Sequence, residues 1–393
     1  MSGLWKTGRD GRLPVMKSLQ LGMHWFPERQ GGLDRVYYEL SRALPLAGVR
    51  IAGLVAGTEL AASQTSGAVR AFAPQQSSLL VRWKGMRNAF ARSLQTEKPD
   101  IVASHFALYT LPVLDRLGKR PFVIHFHGPW AEEGAVEGNA GLRYAVKRWI
   151  ENLVYRRAAR AIVLSNAFAD VLSNRYHFPR DRIHIVPGGI DTKRFAVTES
   201  REDAKKRLGW PQGRPTVVAV RRLVPRMGLE NLIAAVEIVK RDIPDILVMI
   251  AGRGKLQPQL AAQILKSDLG DNVSLVGFVS DEDLPYVYRA ADLSVVPSVA
   301  LEGFGLIAAE SLAAGTPCLV SPIGGLPEVV TALSPNLVLS SPAVGDLAEA
   351  IGSALTGRLS LPDDASCRAY AEQNFDWQII AAKIADVYRL AIQ

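Results

Sequence analysis

The sequence predicts an α/β protein of two doubly wound, Rossmann-like domains that face each other across a cleft. Short apolar runs alternate with helix-like stretches through most of the chain, as expected for parallel β-sheets covered by helices. The alternation breaks once, at a polar stretch near the middle, and then starts again. At 393 residues the chain is also too long for one ordinary hydrophobic core.

The first domain is predicted over residues 15–190. Its expected strands are the apolar runs in SLQLGMHWF, RIAGLVAG, DIVASHF, PFVIHFHG, RAIVLS and RIHIVPGG. Helix-like stretches such as GLDRVYYELSRALPLAG lie between them. This order of elements is typical of βα units and a mostly parallel sheet. Residues 1–14 precede the first run, and we expect them to form a disordered tail.

A polar stretch at residues 191–214 is interpreted as the linker between the domains, because it ends in proline and glycine. The second domain follows at residues 215–376, with expected strands in TVVAVRRL, DILVMIAGRG, VSLVGFVS, DLSVVPS and PCLVSPIGG. Residues 377–393 have helical periodicity, and we expect this C-terminal helix to cross back and pack on the first domain. Open α/β sheets bind ligands at the carboxyl ends of their strands, so the cleft is the expected site.

The composition, with 48% hydrophobic and 21% charged residues, is that of a globular protein. Two cysteines are too few for a disulfide framework or a structural zinc site, which favours a reducing, cytoplasmic location. No uncharged apolar stretch approaches the roughly 20 residues that span a bilayer, and the first residues lack the apolar core of a signal peptide. We therefore expect neither secretion nor a membrane span.

The charge is uneven along the chain. Residues 1–190 carry 26 Lys and Arg against 14 Asp and Glu, whereas residues 191–393 carry 20 against 24. Within the basic half, residues 142–160 interleave cationic side chains with Trp149 and Tyr155. Such a helix can lie on an anionic membrane surface, and a half-buried helix with a solvated basic face is the alternative. No nucleic-acid motif accompanies the charge, so we do not expect nucleic-acid binding.

The stretch ALEGFGLIAAESLAAGTPCLVS, residues 300–321, places Glu302 in a strand-to-helix turn and Glu310 in the second turn of the following helix. Free N–H groups and the helix dipole suit a phosphate at the helix start, and Gly303 and Gly305 let the backbone approach it closely. The two carboxylates can then hold separate hydroxyl groups of one elongated ligand, such as a nucleotide sugar. The alternative is that Glu302 is a helix-start charge and Glu310 lies on a solvated face.

Five segments, taken in order, resemble glycosyltransferase family 4, whose members have the GT-B fold. They are FPERQGGLDRVYYELSRAL, VIHFHGPW, IVPGGIDTKRF, RRLVPRMGLENLI and EGFGLIAAESLAAGTPCLVSPIGGLPEVV. The last of these looks like the donor-binding signature of the family, with two glutamates separated by seven residues. Each segment is weak by itself, but the five together span residues 24–330.

The resemblance implies a role for each residue of the glycine-rich turn. Glu302 matches the glutamate that hydrogen-bonds the hydroxyls of the transferred sugar, and Glu310 matches the one that binds both ribose hydroxyls. The backbone N–H groups that would meet the sugar and the diphosphate belong to Gly303, Phe304, Gly305 and Leu306.

Two further loops complete the implied donor contacts. Gly31 and Gly32 match the first-domain glycine loop that approaches the diphosphate and the acceptor, although an ordinary βα turn can also contain such glycines. Phe278 and Val279 match the loop whose backbone reads the base, and a plain strand end is the alternative.

The cations expected around the diphosphate depart from the family pattern. Arg222 matches an arginine that, with a lysine further on, neutralises the leaving group. Met227 stands at the lysine position, and methionine provides neither charge nor an N–H donor. Arg226 or Arg221 can replace the lysine. An impaired enzyme and an alignment shifted by one residue are the other interpretations.

His127, in the segment HFHGPW, resembles the histidine near the anomeric carbon of the donor. A histidine at a strand end can equally be a core residue that its neighbours satisfy. His125 lies two residues earlier on the same face of the strand, and only the match to the His-Gly pair selects His127. With Glu302 and Arg222, His127 makes up the expected catalytic set.

The resemblance implies a retaining glycosyltransferase that moves a hexose from a nucleoside diphosphate to an acceptor alcohol. UDP-glucose is the favoured donor, with other UDP-hexoses or GDP-mannose behind it. The expected acceptor is a saccharide or lipid-linked saccharide in cell-surface polysaccharide synthesis, which places the protein in the cytoplasm or at the inner face of the membrane. No cofactor and no divalent metal are expected, because catalysis in the family needs none.

Two other functions remain open from the sequence. A GT-B nucleotide-sugar epimerase shares the fold and the ribose contact, and the methionine at position 227 fits a catalytically weak nucleotide-sugar-binding protein. A dinucleotide-dependent dehydrogenase is disfavoured, because the segment GRGKLQ lacks the last glycine of the Gly-x-Gly-x-x-Gly fingerprint.

Overall fold

Two parallel β-sheets organise the chain in the computed structural model, which describes residues 15–136 and 141–393. The chain divides into two units. The first unit runs to Gly189 and includes Trp377–Gln393, and the second unit comprises Ile190–Asp376. The predicted α/β class with two sheets is confirmed. The tail expected at residues 1–14 lies outside the described residues.

The strands are short, as in most α/β proteins. Their bounds are Met16–His24 (β1), Val49–Ala56 (β2), Val69–Ala73 (β3), Ile101–Ser104 (β4), Phe122–Phe126 (β5), Arg160–Val163 (β6), Ile183–Ile185 (β7), Thr216–Val220 (β8), Leu247–Ala251 (β9), Val273–Gly277 (β10), Leu293–Val296 (β11) and Cys318–Val320 (β12).

Helices connect the strands. Their bounds are Gly32–Ala43 (α1), Leu60–Gln64 (α2), Leu79–Thr96 (α3), Ala107–Thr110 (α4), Trp130–Val136 (α5), Leu142–Arg156 (α6), Asn166–Tyr176 (α7), Thr192–Phe195 (α8), Arg201–Leu208 (α9), Leu229–Val239 (α10), Gln257–Lys266 (α11), Leu284–Arg289 (α12), Leu306–Ala313 (α13), Leu326–Val330 (α14), Val344–Leu355 (α15), Asp364–Phe375 (α16) and Trp377–Ile392 (α17). Short 3₁₀ helices lie at Leu44–Ala47, Leu111–Arg116, Arg180–Arg182, Pro225–Met227 and Pro335–Leu337.

The first unit contains a seven-stranded sheet in the order β3-β2-β1-β4-β5-β6-β7, and every neighbouring pair is parallel. The strand order reverses between β1 and β4, which makes this the switch point of the sheet. Strand β3 was not predicted from the sequence. It is a five-residue strand at the edge of the sheet, and its exposed Arg70 interrupts the apolar run on which the strand predictions depended.

The second unit contains a five-stranded parallel sheet in the order β10-β9-β8-β11-β12, with its switch point between β8 and β11. Residues 191–214, interpreted as a linker, belong to this unit and contain α8 and α9. The signals for α9 lay in the sequence. Ser200 Oγ accepts a hydrogen bond from the N–H of Asp203 at 3.1 Å, and Gly209 ends the helix with a φ of 68°.

Helices cover both faces of the first sheet. Alternate residues of β2 divide between two apolar clusters, with Leu54 and Ala56 in one and Ile51 and Val55 in the other. The C-terminal helix α17 belongs to the second of these clusters, which confirms that it packs on the first unit. Within residues 15–136 and 141–393, no helix combines the length and the apolar character that crossing a membrane requires.

Candidate functional site

The candidate residues lie just after the strands that flank the two switch points. In the second unit, Arg221 follows β8 and Glu302 follows β11. In the first unit, His24 ends β1 and His105 follows β4. Loops on the two sides of a switch point run in opposite directions and leave room for a ligand. Each sheet therefore presents a site at its carboxyl edge.

Glu302 lies at the centre of a buried charged cluster. Arg221 donates hydrogen bonds to Glu302 and to the hydroxyl of Ser298, and Ser298 donates to Glu302 Oε1 at 3.2 Å. Arg226 Nη1 lies 3.7 Å from the same oxygen and donates to the carbonyl of Leu301 at 2.8 Å. Among the described residues these contacts converge on Oε1, which leaves Oε2 of Glu302 to accept from a ligand.

The burial of this cluster favours an anionic ligand. Arg221 is 8% exposed, Arg226 7% and Glu302 8%, and charges buried to this extent need partners. The Nε of Arg221 is buried without a hydrogen-bond partner in the part of the chain that the structure describes. A buried donor without an acceptor is costly, and a phosphate oxygen can satisfy it.

Both proposed substitutes for the missing lysine reach Glu302. Met227 is buried, and its Sδ lies 2.7 Å from Arg221 Nη2, so the guanidinium stands beside the side chain at position 227. Arg222 lies at the carboxyl end of β8 with an exposed side chain. The structure brings Arg226 and Arg221 to Glu302, and it does not bring Arg222 there.

The glycine-rich turn before α13 depends on close backbone approaches. Gly305 has a φ of 91°, in the left-handed region that favours glycine, and a Cβ on it would lie 2.3 Å from Leu326 Cδ2. A Cβ on Gly324 would lie 1.9 Å from the Glu302 carbonyl oxygen, which accepts a hydrogen bond from the N–H of Gly325 at 2.9 Å. Gly324 and Gly325 belong to the segment SPIGG, and their supporting role was not predicted from the sequence.

Glu310 lies in the second turn of α13, as predicted, and is 8% exposed. The hydroxyl of Tyr288 donates to its Oε2 at 2.9 Å. The interpretation of Glu310 as a residue on a solvated helix face is therefore wrong. Tyr288 was missed because only its side chain, 22 positions earlier on α12, reaches Glu310. Between the two glutamates, Gly303 and Leu306 are half-buried.

The remaining candidates of the second unit lie on either side of this turn. Phe304 is buried and packs edge-on against Phe375, with ring centroids 5.5 Å apart. Phe278 and Val279 follow β10, two strands away from β8. Phe278 is 47% exposed, and the guanidinium of Arg253 lies 5.4 Å from the centre of its ring.

In the first unit, Gly31 and Gly32 are exposed at the start of α1. Gly31 has an extended backbone that any residue adopts, but a Cβ on it would lie 2.8 Å from Asp34 Oδ2. Asp34 is buried and accepts a hydrogen bond from the N–H of His24 at 3.1 Å. The glycine therefore makes room for a buried carboxylate that sequence analysis did not select.

His127 belongs to a group of three neighbouring histidines. The ring of His105 stacks on that of His125 at 4.2 Å, and His105 Nδ1 lies 3.1 Å from His127 Nε2. Burial lowers the pKa of His105 and His125, helped by the neighbouring histidines. Burial also lowers the pKa of His127 to about 4, although the carboxylate of Asp34 opposes the shift. All three rings are therefore neutral at pH 7.

These histidines also have the spacing of metal ligands, since one nitrogen of each lies within 4.8 Å of the others. Hydrogen bonds to His127 and Gln20 already use both ring nitrogens of His105, so a metal ion would have to displace one of them. An Asp-x-Asp sequence occurs at Asp281 and Asp283, and each of these carboxylates pairs with an arginine. Neither group is arranged as an open metal centre.

The second unit can thus bind a ligand that has hydroxyl groups at both ends and phosphate between them. Carboxylates accept hydrogen bonds from hydroxyls, and guanidinium groups and a helix amino terminus bind phosphate. The neutral histidines of the first unit can exchange hydrogen bonds with a polar ligand but bring no charge.

Two family models match this chain, one after the other. The model described as Glycosyltransferase Family 4 matches residues 30–194, and the model described as Glycosyl transferases group 1 matches residues 200–374.

Relatives of known name align with this chain over different fractions of their own length. A GDP-mannose-dependent alpha-(1-6)-phosphatidylinositol monomannoside mannosyltransferase of Mycobacterium tuberculosis is 30% identical over 219 residues, which are 54% of this chain and 57% of the relative. The glycogen synthase of the same species is 28% identical over 96% of this chain and 95% of the relative. The chain thus spans little more than half the length of the mannosyltransferase and nearly all of the synthase.

Among solved structures, the Anabaena protein Alr3699/HepE in complex with UDP-glucose has a TM-score of 0.75 at 21% identity, covering 95% of this chain and 100% of that chain. At this identity the likeness shows the fold alone, which is the GT-B fold that the resemblance implied. Together, the two family models cover both units, and the chain belongs to glycosyltransferase family 4.

Proposed function

We propose that the protein is a retaining glycosyltransferase that transfers a hexose from a nucleoside diphosphate to a hydroxyl group of a saccharide or lipid-linked saccharide. The observation that carries the proposal is the pair Glu302 and Glu310, both buried at the carboxyl edge of the second sheet with the amino terminus of α13 between them. This arrangement suits a donor whose sugar and ribose hydroxyls lie on either side of a diphosphate.

In this proposal, a separate glutamate carboxylate of the protein binds each end of the donor. Oε2 of Glu302 accepts hydrogen bonds from the hydroxyls of the transferred sugar, and Glu310 accepts from the ribose. The backbone N–H groups from Gly303 to Leu306 donate to the diphosphate, as a helix amino terminus does. The backbone at Phe278 and Val279 contacts the base.

The cations stabilise the charge that develops on the leaving diphosphate. Arg222 and Arg226 act on the phosphate oxygens, and Arg221 provides the charge that the lysine of the family pattern would provide. The Nε of Arg221, which is buried and has no hydrogen-bond partner among the described residues, supports this assignment. In the first unit, the resemblance makes Gly31, Gly32 and His127 the candidates for further contacts with the donor.

The reaction needs no dedicated protein base in this scheme. The phosphate of the donor takes the acceptor proton on the face that the sugar leaves, which retains the configuration at the anomeric carbon. Guanidinium groups and backbone N–H groups supply the positive charge, so the scheme includes no divalent metal.

UDP-glucose is the first donor to test, because it is the donor that the resemblance to the family favours. GDP-mannose is the second candidate, and a specific observation favours it. The relative that is 30% identical is named as a GDP-mannose-dependent mannosyltransferase.

A thermal-shift screen with UDP-glucose, GDP-mannose and ADP-glucose tests the donor. We expect UDP-glucose to raise the unfolding temperature most, and Glu310→Gln to weaken its binding about tenfold to a hundredfold, because a hydrogen bond to a charged acceptor is lost. Glu349→Gln, at an exposed glutamate of the second unit, is the matched control. An unchanged shift in Glu310→Gln would remove the ribose assignment, and a larger shift with GDP-mannose would select the second donor.

Product analysis separates transfer from the other functions. Incubation of the protein with donor alone should leave the sugar configuration unchanged, whereas an epimerase would convert it without any acceptor. A protein that binds the donor tightly but transfers no sugar to any acceptor, and that gains donor hydrolysis in Met227→Lys, would be a binding protein.

The first unit has a surface on helix α6 that is suited to binding an anionic membrane. Helix α6 is buried on one face, and Leu142, Val146, Trp149 and Leu153 are exposed along another. Their spacing of three or four residues keeps them on one side of the helix. Arginines and a lysine flank this apolar stripe. Peripheral binding at the inner face of the membrane would bring a lipid-linked acceptor to the enzyme.

A further inference from the structure

A chain of hydrogen bonds leads from the first sheet to His127, and the donor of each bond can be assigned. The Ser18 hydroxyl donates to the carbonyl of Arg50 at 3.4 Å, so the lone pairs of this oxygen are left to accept. Gln20 Nε2 donates to that oxygen at 2.9 Å. This bond fixes the orientation of the Gln20 amide, with Nε2 facing Ser18 Oγ.

The orientation of Gln20 then fixes the proton on His105. Gln20 Oε1 lies 2.9 Å from His105 Nε2, and because an amide oxygen only accepts, His105 carries its proton on Nε2. A neutral imidazole has one N–H, and burial keeps His105 neutral by lowering its pKa. Its Nδ1 therefore holds a lone pair, and His127 Nε2, 3.1 Å away, is the donor.

We infer that this relay fixes His127 as the tautomer with its proton on Nε2 and its lone pair on Nδ1. Gln20 and His105 are then positioning residues for His127. A lone pair on Nδ1 can accept a hydrogen bond from a sugar hydroxyl but cannot donate one to a phosphate oxygen. The inference rests on the proposed function only for placing the donor sugar beside His127.

The C-terminal helix supplies a third positioning residue. The Tyr388 hydroxyl lies 3.1 Å from Nε2 and 3.2 Å from Oε1 of the Gln20 amide, and 2.7 Å from His125 Nε2. Gln20 is 2% exposed, His105 3% and Tyr388 0%. Water therefore does not compete for these bonds. Tyr388 holds the Gln20 amide in place, and the contact with Ser18 sets which end of the amide faces His105.

The other groups that act on His127 leave this tautomer in place at neutral pH. Burial lowers the pKa of the ring, the carboxylate of Asp34 raises it, and the outcome is about 4. The neutral rings of His105 and His125 add no charge at this pH.

Long-range ¹H–¹⁵N correlation spectra of the full chain, labelled with ¹⁵N-histidine, test the inference without any ligand. The six histidines can be assigned by substituting each in turn. We expect His105 and His127 both to carry the proton on Nε2. In Gln20→Leu, His105 loses its acceptor, and both rings should become mixtures of the two tautomers.

Two variants make this test robust. Tyr388→Phe keeps the ring and its packing but removes the hydroxyl that holds the Gln20 amide in place, so it should shift the tautomers in the same direction even if Gln20→Leu folds poorly. Tyr155→Phe removes a buried hydroxyl of the same unit outside the relay and should keep the wild-type pattern. A wild-type His127 protonated on Nδ1, or a wild-type pattern in Tyr388→Phe and Gln20→Leu alike, would overturn the inference.

Binding measurements separate positioning from a merely structural role. Tyr388→Phe should weaken binding of UDP-glucose about fivefold to tenfold, as for one lost hydrogen bond, and leave the affinity for UDP unchanged. Equal losses for both ligands would contradict the role assigned to Tyr388. Wild-type protein that binds no nucleotide sugar would contradict the proposed function, whereas the tautomers would still be decided by the spectra.

Discussion

The side chains around position 227 show how the second unit provides a buried cation without a lysine. Arg221 Nη2 lies 2.7 Å from Met227 Sδ, and the same guanidinium donates to Glu302. A guanidinium presents planar N–H groups that can bind two phosphate oxygens at once. We therefore interpret Met227 as an apolar side chain that packs beneath Arg221. The Arg221 guanidinium then provides the positive charge that a lysine at position 227 would provide.

Replacing Arg221 should weaken binding of the nucleoside diphosphate. We expect Arg221→Met to lower the affinity for UDP about tenfold to a hundredfold, as for a lost charge-assisted hydrogen bond, measured by isothermal titration calorimetry. The double variant Arg221→Met/Met227→Lys returns a cation to the site and should recover part of the loss. Lys266→Met removes an exposed cation of the same unit and is the control. Full affinity in Arg221→Met would show that Arg222 and Arg226 suffice.

Adding a cation to the intact site should destabilise the protein. In Met227→Lys the ammonium group would enter a buried space beside the Arg221 guanidinium, where like charges repel. Thermal unfolding should show a lower transition temperature for the second unit. Met227→Leu conserves the apolar volume and should cost less than about 1.5 kcal/mol. If Met227→Lys were as stable as wild type, the site would tolerate another positive charge.

At the scale of elements, three helices of the first unit meet at one buried carboxyl group. Glu151 on α6 is 0% exposed and accepts hydrogen bonds from Tyr176 on α7 at 2.9 Å and from the N–H of Ala131 on α5 at 3.3 Å. Burial raises its pKa to about 7, although the hydrogen bonds that it accepts oppose this shift. The folded protein therefore keeps Glu151 protonated at a pH where the unfolded chain has released the proton.

This difference makes stability depend on pH in a predictable direction. Between the ordinary pKa of 4.5 and about 7, the native state binds the extra proton, so the contribution of Glu151 to the free energy of unfolding falls as pH rises, by about 3 kcal/mol in total. Glu151→Gln is neutral throughout and should remove this slope. Denaturant unfolding at pH 5 and pH 8 measures it, with the exposed Glu59→Gln as control. A stability difference between wild type and Glu151→Gln that is the same at both pH values would contradict the assignment.

The C-terminal helix α17 packs on the first unit with one face, and this packing should stabilise the unit. Ile384 is 4% exposed in α17, whereas the neighbouring Lys383 is exposed. Ile384→Ala should cost about 2–4 kcal/mol because it leaves a cavity, and Lys383→Ala should change stability by less than about 0.5 kcal/mol. Denaturant unfolding should place the loss in the transition of the first unit. Equal effects of the two variants would mean that α17 is not docked as described.

At the scale of the whole molecule, the basic half of the sequence and the apolar stripe of α6 lie in the same unit. Sedimentation with vesicles that contain phosphatidylserine should show binding at low salt and release as salt screens the charge. Trp149→Glu places a carboxylate on the stripe and should weaken binding. Leu46 is 77% exposed outside α6, so Leu46→Glu is the matched control. Protein that ignores these vesicles at low salt would contradict the membrane proposal.

Local patterns were enough to predict most of the elements. The apolar runs predicted β1, β2 and β4 to β12, because most of these strands are buried on both faces and are therefore apolar along their length. The same reasoning missed β3, where Arg70 points out of an edge strand. It also took residues 191–214 for a linker, although Ser200 and Gly209 carried the cap signals of α9. Where a pattern is local and strongly apolar, the sequence alone is sufficient to predict the strand or helix.

The sequence by itself determined the two α/β units, the glycine turn before α13 and the position of Glu310 in its second turn. Only the tertiary structure decided that Arg221 and Arg226 meet Glu302, and that Tyr288 meets Glu310. It alone brought Tyr388 to Gln20, 368 positions earlier. The physical reason is that periodicity fixes which face of an element a residue occupies, whereas side-chain partners depend on how distant elements pack, and no spacing along the chain encodes those distances.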